Sequence, residues 1–234
     1  MKLIAHACGP TLYPSNTIFS AREALKNGAD LVELDLQYTS DQRLAVFHDK
    51  DLMKKYGDPR RCCEVTAEEF LSLRLKKDPA CPSHLLDHFF RCEIAPILLH
   101  HSHSVLESVV DLVEEYGYED RVTFGITEVR SLVRIRERLP EAKVLGFIHG
   151  PENIEEFARH GVNYIRLWER WMTPENVARV KSAGVELWVM TGGPETECKV
   201  GFPNEESLKR VVAMEPDGLL VNDLPFVKSV LASL

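Results

Sequence analysis

The chain has 234 residues, 28 Lys and Arg against 36 Asp and Glu, a net charge of −8 and 44% apolar residues. That composition excludes a disordered, collagen-like or disulfide-stapled chain and leaves material for one large core. No run of Lys or Arg exceeds a pair, which argues against a nucleic-acid partner, and no apolar stretch approaches the ~20 residues a spanning helix needs.

In chain order, short apolar runs alternate with amphipathic ones. Strand Leu3–His6 precedes a helix over Thr17–Asn27 that Gly28 stops. Strand Leu31–Gln37 is followed by a short polar turn, Thr39–Arg43, and a run Leu44–His48, so these two strands must pair antiparallel. With the turn centred on Asp41, Glu33 falls opposite His48. Residues 49–82 form an irregular, charged insertion with one short helix over Ala67–Leu75. A helix over Ser83–Phe90 leads to strand Ile94–His101, and the pattern repeats: Ser104–Tyr116, Val122–Ile126, Glu128–Arg138, Lys143–Ile148, Asn153–His160, Asn163–Trp168, Thr173–Ala183, Glu186–Met190, Glu205–Met214 and Gly218–Asn222. Gly117, Gly161 and Gly184 stand where C-caps belong, and Thr173-Pro174 supplies an N-cap with Pro at the first helical position.

Eight strands alternating with helices predict a parallel sheet, and eight is the number that closes a (β/α)8 TIM barrel. No glycine-rich GxGxxG turn follows the first strand, which removes the doubly wound alternative. The chain reads as a single domain, with residues 49–82 as a loop insertion serving the site. The six cysteines have no paired CxxC spacing, and the amino-terminal apolar run is too short for a signal peptide. A cytoplasmic protein with reduced thiols is expected.

Barrel active sites lie at the carboxyl ends of the strands. The first strand ends in His6, and Glu33 and Asp35, two apart, share one face of the second. Two adjacent carboxylates in an apolar strand repel and cost several kcal/mol unless they share a cation. A divalent metal relieves both problems. With His48 brought beside Glu33 by the hairpin, two carboxylates and two histidines form a hydrolytic constellation suited to a phosphodiester or another ester.

These residues carry a resemblance. His6, Ser15-Asn16-Thr17, Gly28-Ala29-Asp30, Glu33-Leu34-Asp35 and His48-Asp49, together with PDGLLVNDLP near the end of the chain, resemble the glycerophosphodiester phosphodiesterases. That family opens with His-Arg-Gly, Glu-Asn-Thr, Gly-Ala-Asp, Glu-Leu-Asp and His-Asp. The resemblance implies a metal-dependent hydrolase on a (β/α)8 barrel that cleaves glycerophosphodiesters to glycerol 3-phosphate and an alcohol, within lipid and glycerol metabolism. Glu33 and Asp35 match its ligands for one divalent metal, Mg2+ or Ca2+, and His6 and His48 match its acid/base pair. Its partner is then a small-molecule phosphodiester.

Three departures accompany the match. The arginine that follows the first histidine, and contacts phosphate, is Ala7. The glutamate of Glu-Asn-Thr is Ser15. On the third strand, where a third glutamate and a lysine belong, the chain reads APILLHHSH. Leu98 or Leu99 stands for the glutamate and His100 or His101 for the lysine, unless Glu93 is the glutamate, which leaves Pro96 where the strand should pair. The rewired site takes an imidazole from His100, His101 or His103 into the metal shell, opening it to Mn2+ or Zn2+, or fills it with water. Arg166 replaces the phosphate-binding arginine, with Trp168, Glu169 and Trp188 as further substrate-binding candidates. The rival readings are a binding barrel that has lost catalysis, or a lysophospholipid or sphingophospholipid phosphodiesterase with an apolar rim. His84 and His88, four apart, share a helix face without zinc-type partners, and Cys8 lies just past His6.

Overall fold

A computed structural model describes residues 1–234. The strands are β1 Lys2–Ala5, β2 Leu31–Tyr38, β3 Leu44–Val46, β4 Ile97–His101, β5 Val122–Ile126, β6 Lys143–Gly146, β7 Tyr164–Trp168, β8 Glu186–Met190 and β9 Gly218–Val221. The helices are α1 Ile18–Lys26, α2 Met53–Tyr56, α3 Ala67–Ser72, α4 Leu86–Arg91, α5 Leu106–Tyr116, α6 Val129–Arg138, α7 Ile154–Arg159, α8 Pro174–Ser182, α9 Glu205–Val212 and α10 Leu224–Leu231. Eight of the nine strands pair parallel in the order β1-β2-β4-β5-β6-β7-β8-β9, and β9 closes on β1, giving the expected (β/α)8 barrel. The local signals hold at the helix starts: Thr17, Thr66 and Thr173 each accept from the backbone three residues on.

β2 does two jobs along its length. Leu31 and Val32 pair with β1, and beyond them β1 stops at Ala5 and turns away through a 3-10 turn, His6–Cys8. The freed upper half of β2 then takes β3 antiparallel, with Gln37 opposite Ala45. This register corrects the sequence expectation by one residue. The Phe47 amide donates to the Asp35 carbonyl, so His48 does not face Glu33, and the strand ends at Val46. Two further boundaries differ. β4 begins only at Ile97, because Ile94 and Ala95-Pro96 belong to the connection, and the sequence reading missed α10, which Asp223 caps with Pro225 in its first turn.

Apolar side chains fill two layers. Leu98, Leu145, Phe147, Trp188 and their neighbours pack inside the barrel, and a larger shell lies between strands and helices. The insertion has a core of its own, in which Phe47, Leu52, Cys62, Val65 and Phe70 are fully buried. It is therefore charged outside but anchored on β3, rather than a loose loop. All six cysteines are free, and no helix is long and apolar enough to cross a membrane.

Candidate active site

The β2–β4 register sets the chemistry. Asp35 pairs with His100 and Glu33 with Leu98, so Leu98 and His100 turn into the barrel with the two carboxylates. Leu99 and His101 point out toward the helices. The histidine beside the acids is thus His100. Its Nδ1 stands 2.9 Å from Asp35 Oδ1 and 3.5 Å from Glu33 Oε1. Its ring lies stacked on Phe147 at 4.2 Å. Gly125 makes room for that stack, since a Cβ there would stand 2.4 Å from the Phe147 ring.

Glu33 and Asp35 are only 1% and 4% exposed. The Ala7 amide donates to Glu33 Oε2 at 2.6 Å and Asn16 Nδ2 donates to Asp35 Oδ2 at 3.0 Å. Burial opposes the charge on His100, yet the hydrogen bonds and charges of Asp35 and Glu33 outweigh it and lift the imidazole to about 9. Burial likewise pushes Asp35 up, but His100 overrides it and brings the carboxyl below its usual range. Glu33, Asp35 and His100 are the only three ligand-type side chains in the molecule whose donor atoms converge within 4.8 Å of one another. The point they share fits a divalent cation with a mixed oxygen and nitrogen donor set.

His6 Nδ1 lies 2.9 Å from Asn222 Oδ1, and the Asn222 amide donates to the Val200 carbonyl. That second bond fixes the amide with its oxygen toward His6, so Nδ1 carries the hydrogen and, in the neutral ring, Nε2, 4.0 Å from Glu33, is the nitrogen with the lone pair. The sequence reading gave Asn222 no role; its only signal was its place at the end of the last strand. His48 stands on the rim with its side chain 61% exposed, and its Nδ1 is 3.3 Å from Asp49 Oδ1. His6, Asp35 and His48 line one cleft of about 830 Å3 at the carboxyl end of the barrel.

Arg166 is 7% exposed, and its Nε and Nη1 have no hydrogen-bond partner. Its guanidinium lies over Trp168 at 4.4 Å and Phe147 at 5.1 Å from the ring centroids. Burial pulls its pKa down to about 10, with the Glu33 charge opposing.

Other candidates fall away from the site. Trp188, a substrate-binding candidate in the sequence, is fully buried and stacks on Tyr164, because its inward-facing position lies low in the barrel. Glu169 is tied up structurally, accepting from the Gly192 amide and the Ser207 hydroxyl at 2.6 Å each. His101 packs edge-on to Phe124 in the outer layer, His103 bonds Ser131, and Glu93 is exposed before β4. Cys8 is buried, and burial together with Glu33 pushes its thiol far up, which makes it inert.

A parallel barrel with two buried acids, an imidazole between them and two histidines at its carboxyl mouth defines a metal-dependent hydrolase. The glycerophosphoryl diester phosphodiesterase family model matches residues 6–224, and the chain belongs to that family. Phosphoric diester hydrolysis is its activity. A glycerophosphodiester phosphodiesterase of Caldanaerobacter subterraneus is 24% identical over 245 aligned residues, covering 94% of this chain and 93% of that protein. Human glycerophosphodiester phosphodiesterase 1 is 37% identical over 95 residues, 41% of this chain and 27% of that protein. A solved Oleispira antarctica phosphodiesterase in complex with the product sn-glycerol-3-phosphate has the same fold, with a TM-score of 0.82 at 15% identity, covering 99% and 97% of the two chains.

Proposed function

We propose that this protein hydrolyses glycerophosphodiesters to sn-glycerol 3-phosphate and an alcohol, with Glu33, Asp35 and His100 holding one divalent ion. The convergence of those three donors is the observation that carries the reading. When bound, the ion neutralises the non-bridging phosphate oxygens and acidifies an attacking hydroxyl or water. With its imidazole ligand, the site accepts Mn2+ or Zn2+ as well as Mg2+ or Ca2+. His6 Nε2, which holds the lone pair when Nδ1 carries the hydrogen, takes the proton of the attacking water, and His48 gives one to the departing alkoxide at the rim. Arg166, its guanidinium stacked over the Trp168 face and two of its nitrogens unpartnered, serves as a cation for the glycerol phosphate. Asn222 and Asn16 are positioning residues, one for His6 and one for Asp35.

The test is glycerol 3-phosphate release from a panel of glycerophosphodiesters with each metal or EDTA. Turnover that requires metal, and that Glu33→Ala with Asp35→Ala abolishes, is the expected result. No turnover with any metal from folded protein, together with calorimetric metal binding that the double variant removes, would leave a binding barrel instead.

A further inference from the structure

A phosphodiester carries a negative charge toward two buried acids, so cations beyond the metal must face it. Four lysines line the cleft, and three of them, Lys54, Lys77 and Lys199, are exposed. Lys55 differs. It stands half-buried on α2, and its Nζ donates to the Ser15 carbonyl at 3.3 Å. It has no carboxylate within ion-pair distance, whereas Lys54 reaches Asp49 at 4.0 Å. Lys55 lines the same cleft as Asp35 and Asp49, and burial lowers its pKa against the fields of those two carboxylates. The ammonium also lies 5.6 Å from the centroid of the Phe47 ring, and the Ser15 carbonyl is its one hydrogen-bond acceptor, so donor capacity remains for an anion.

Its place relates two of the sequence departures. Ala7 and Ser15, standing for the arginine and the glutamate, line the cleft together, and the Asn16 amide donates to the Ala7 carbonyl at 3.0 Å. Both long side chains are missing at that spot, and Lys55 reaches into it from the insertion. We propose that Lys55 is a second phosphate-binding cation of this enzyme, beside Arg166, supplied by α2 at the place where the end of β1 lacks its arginine. The assignment rests on the phosphodiester reading for its substrate, but its anion site can be tested without turnover. The insertion, anchored through Phe47 and Phe70, then both walls the cleft and delivers a binding group.

The probes are orthophosphate and glycerol 3-phosphate, titrated calorimetrically into protein in EDTA and again with Mg2+. A hydrogen bond from a charged group contributes about 1.5–3 kcal/mol, so Lys55→Met should weaken phosphate binding roughly 10- to 100-fold. Lys55→Arg should retain most of it, and Ala7→Arg placed in the Lys55→Met protein should restore a large part. In turnover Lys55→Met should raise KM more than it lowers kcat. One measurement needs no variant: limiting acetylation mapped by mass spectrometry, in which orthophosphate should protect Lys55 more than Lys50 or Lys54. Unprotected Lys55, or equal phosphate binding by Lys55→Met and the unaltered protein, would reduce it to a strap on Ser15 and overturn the assignment. If no diester is hydrolysed yet phosphate binding still depends on Lys55, the activity reading fails and the anion site stands.

Discussion

Arg166 is the residue whose environment least resembles a structural role. A buried guanidinium with two unpartnered nitrogens is unfavourable in the resting protein, because its lost hydration is not replaced. Stacking on Trp168 and Phe147 recovers only part of this, about 0.5–2 kcal/mol per cation–π contact. Arg166→Met keeps the volume and removes the unpaired donors. With a divalent ion at saturation, so that Glu33 and Asp35 keep a cation, this variant should melt at the same temperature or a few degrees higher. Its turnover should fall by 10²-fold or more, since a bound phosphate or hydroxyl loses its buried donors. A large fall in melting temperature would instead make Arg166 a support for the Glu33 charge.

At the scale of elements, the barrel was legible because each β/α unit carries its own signals: an apolar run of strand length, a capped helix, a glycine stop. What the sequence left open was register and height. The Thr39–Arg43 turn places Gln42 at a φ of +62°, with the Thr39 amide donating to the Arg43 carbonyl. No Asn-Gly or Asp-Gly pair marks that conformation, so a turn centred on Asp41 sets the pairing one residue out, with His48 over Glu33. For β4, alternation separates 98 and 100 from 99 and 101, but only the pairing with β2 decides which pair faces the acids. Trp188 shows the third gap, since a strand's inward face is readable while its depth in the barrel is not. The insertion's core was hidden by its charge. Phe70 is fully buried there, edge-on to Phe47 and Tyr56. Phe70→Ala should therefore cost about 3–5 kcal/mol locally. Because α2 carries Lys55, KM for the diester should rise with it, while metal affinity, set by β2 and β4, should not change. Calorimetric metal titration beside steady-state kinetics checks both halves.

For the whole molecule, proton binding links stability to pH in two opposite limbs. His84 and His101 are buried with unpartnered Nε2 atoms, and burial pulls each to about 4. Unfolded histidine titrates near 6.5, so below that pH the unfolded chain binds protons that the folded one refuses. Stability should fall as pH drops from about 6.5 toward 4, by about 1 kcal/mol per pH unit for each histidine. His100 has the reverse sign. Its folded pKa of about 9 lies above the unfolded value, so its contribution is full below about 6.5 and is lost as pH rises through 9. Asp35, held below the usual carboxyl range, contributes stability that is lost only under about pH 4, outside both limbs. Urea denaturation in EDTA should thus show a maximum near pH 6.5. His101→Leu should flatten the acid limb by about half. A saturating divalent ion should remove the alkaline fall, because the ion takes the place of the His100 proton and binds more tightly as that proton leaves. An alkaline limb that persists unchanged under saturating metal would mean that His100 is not a ligand.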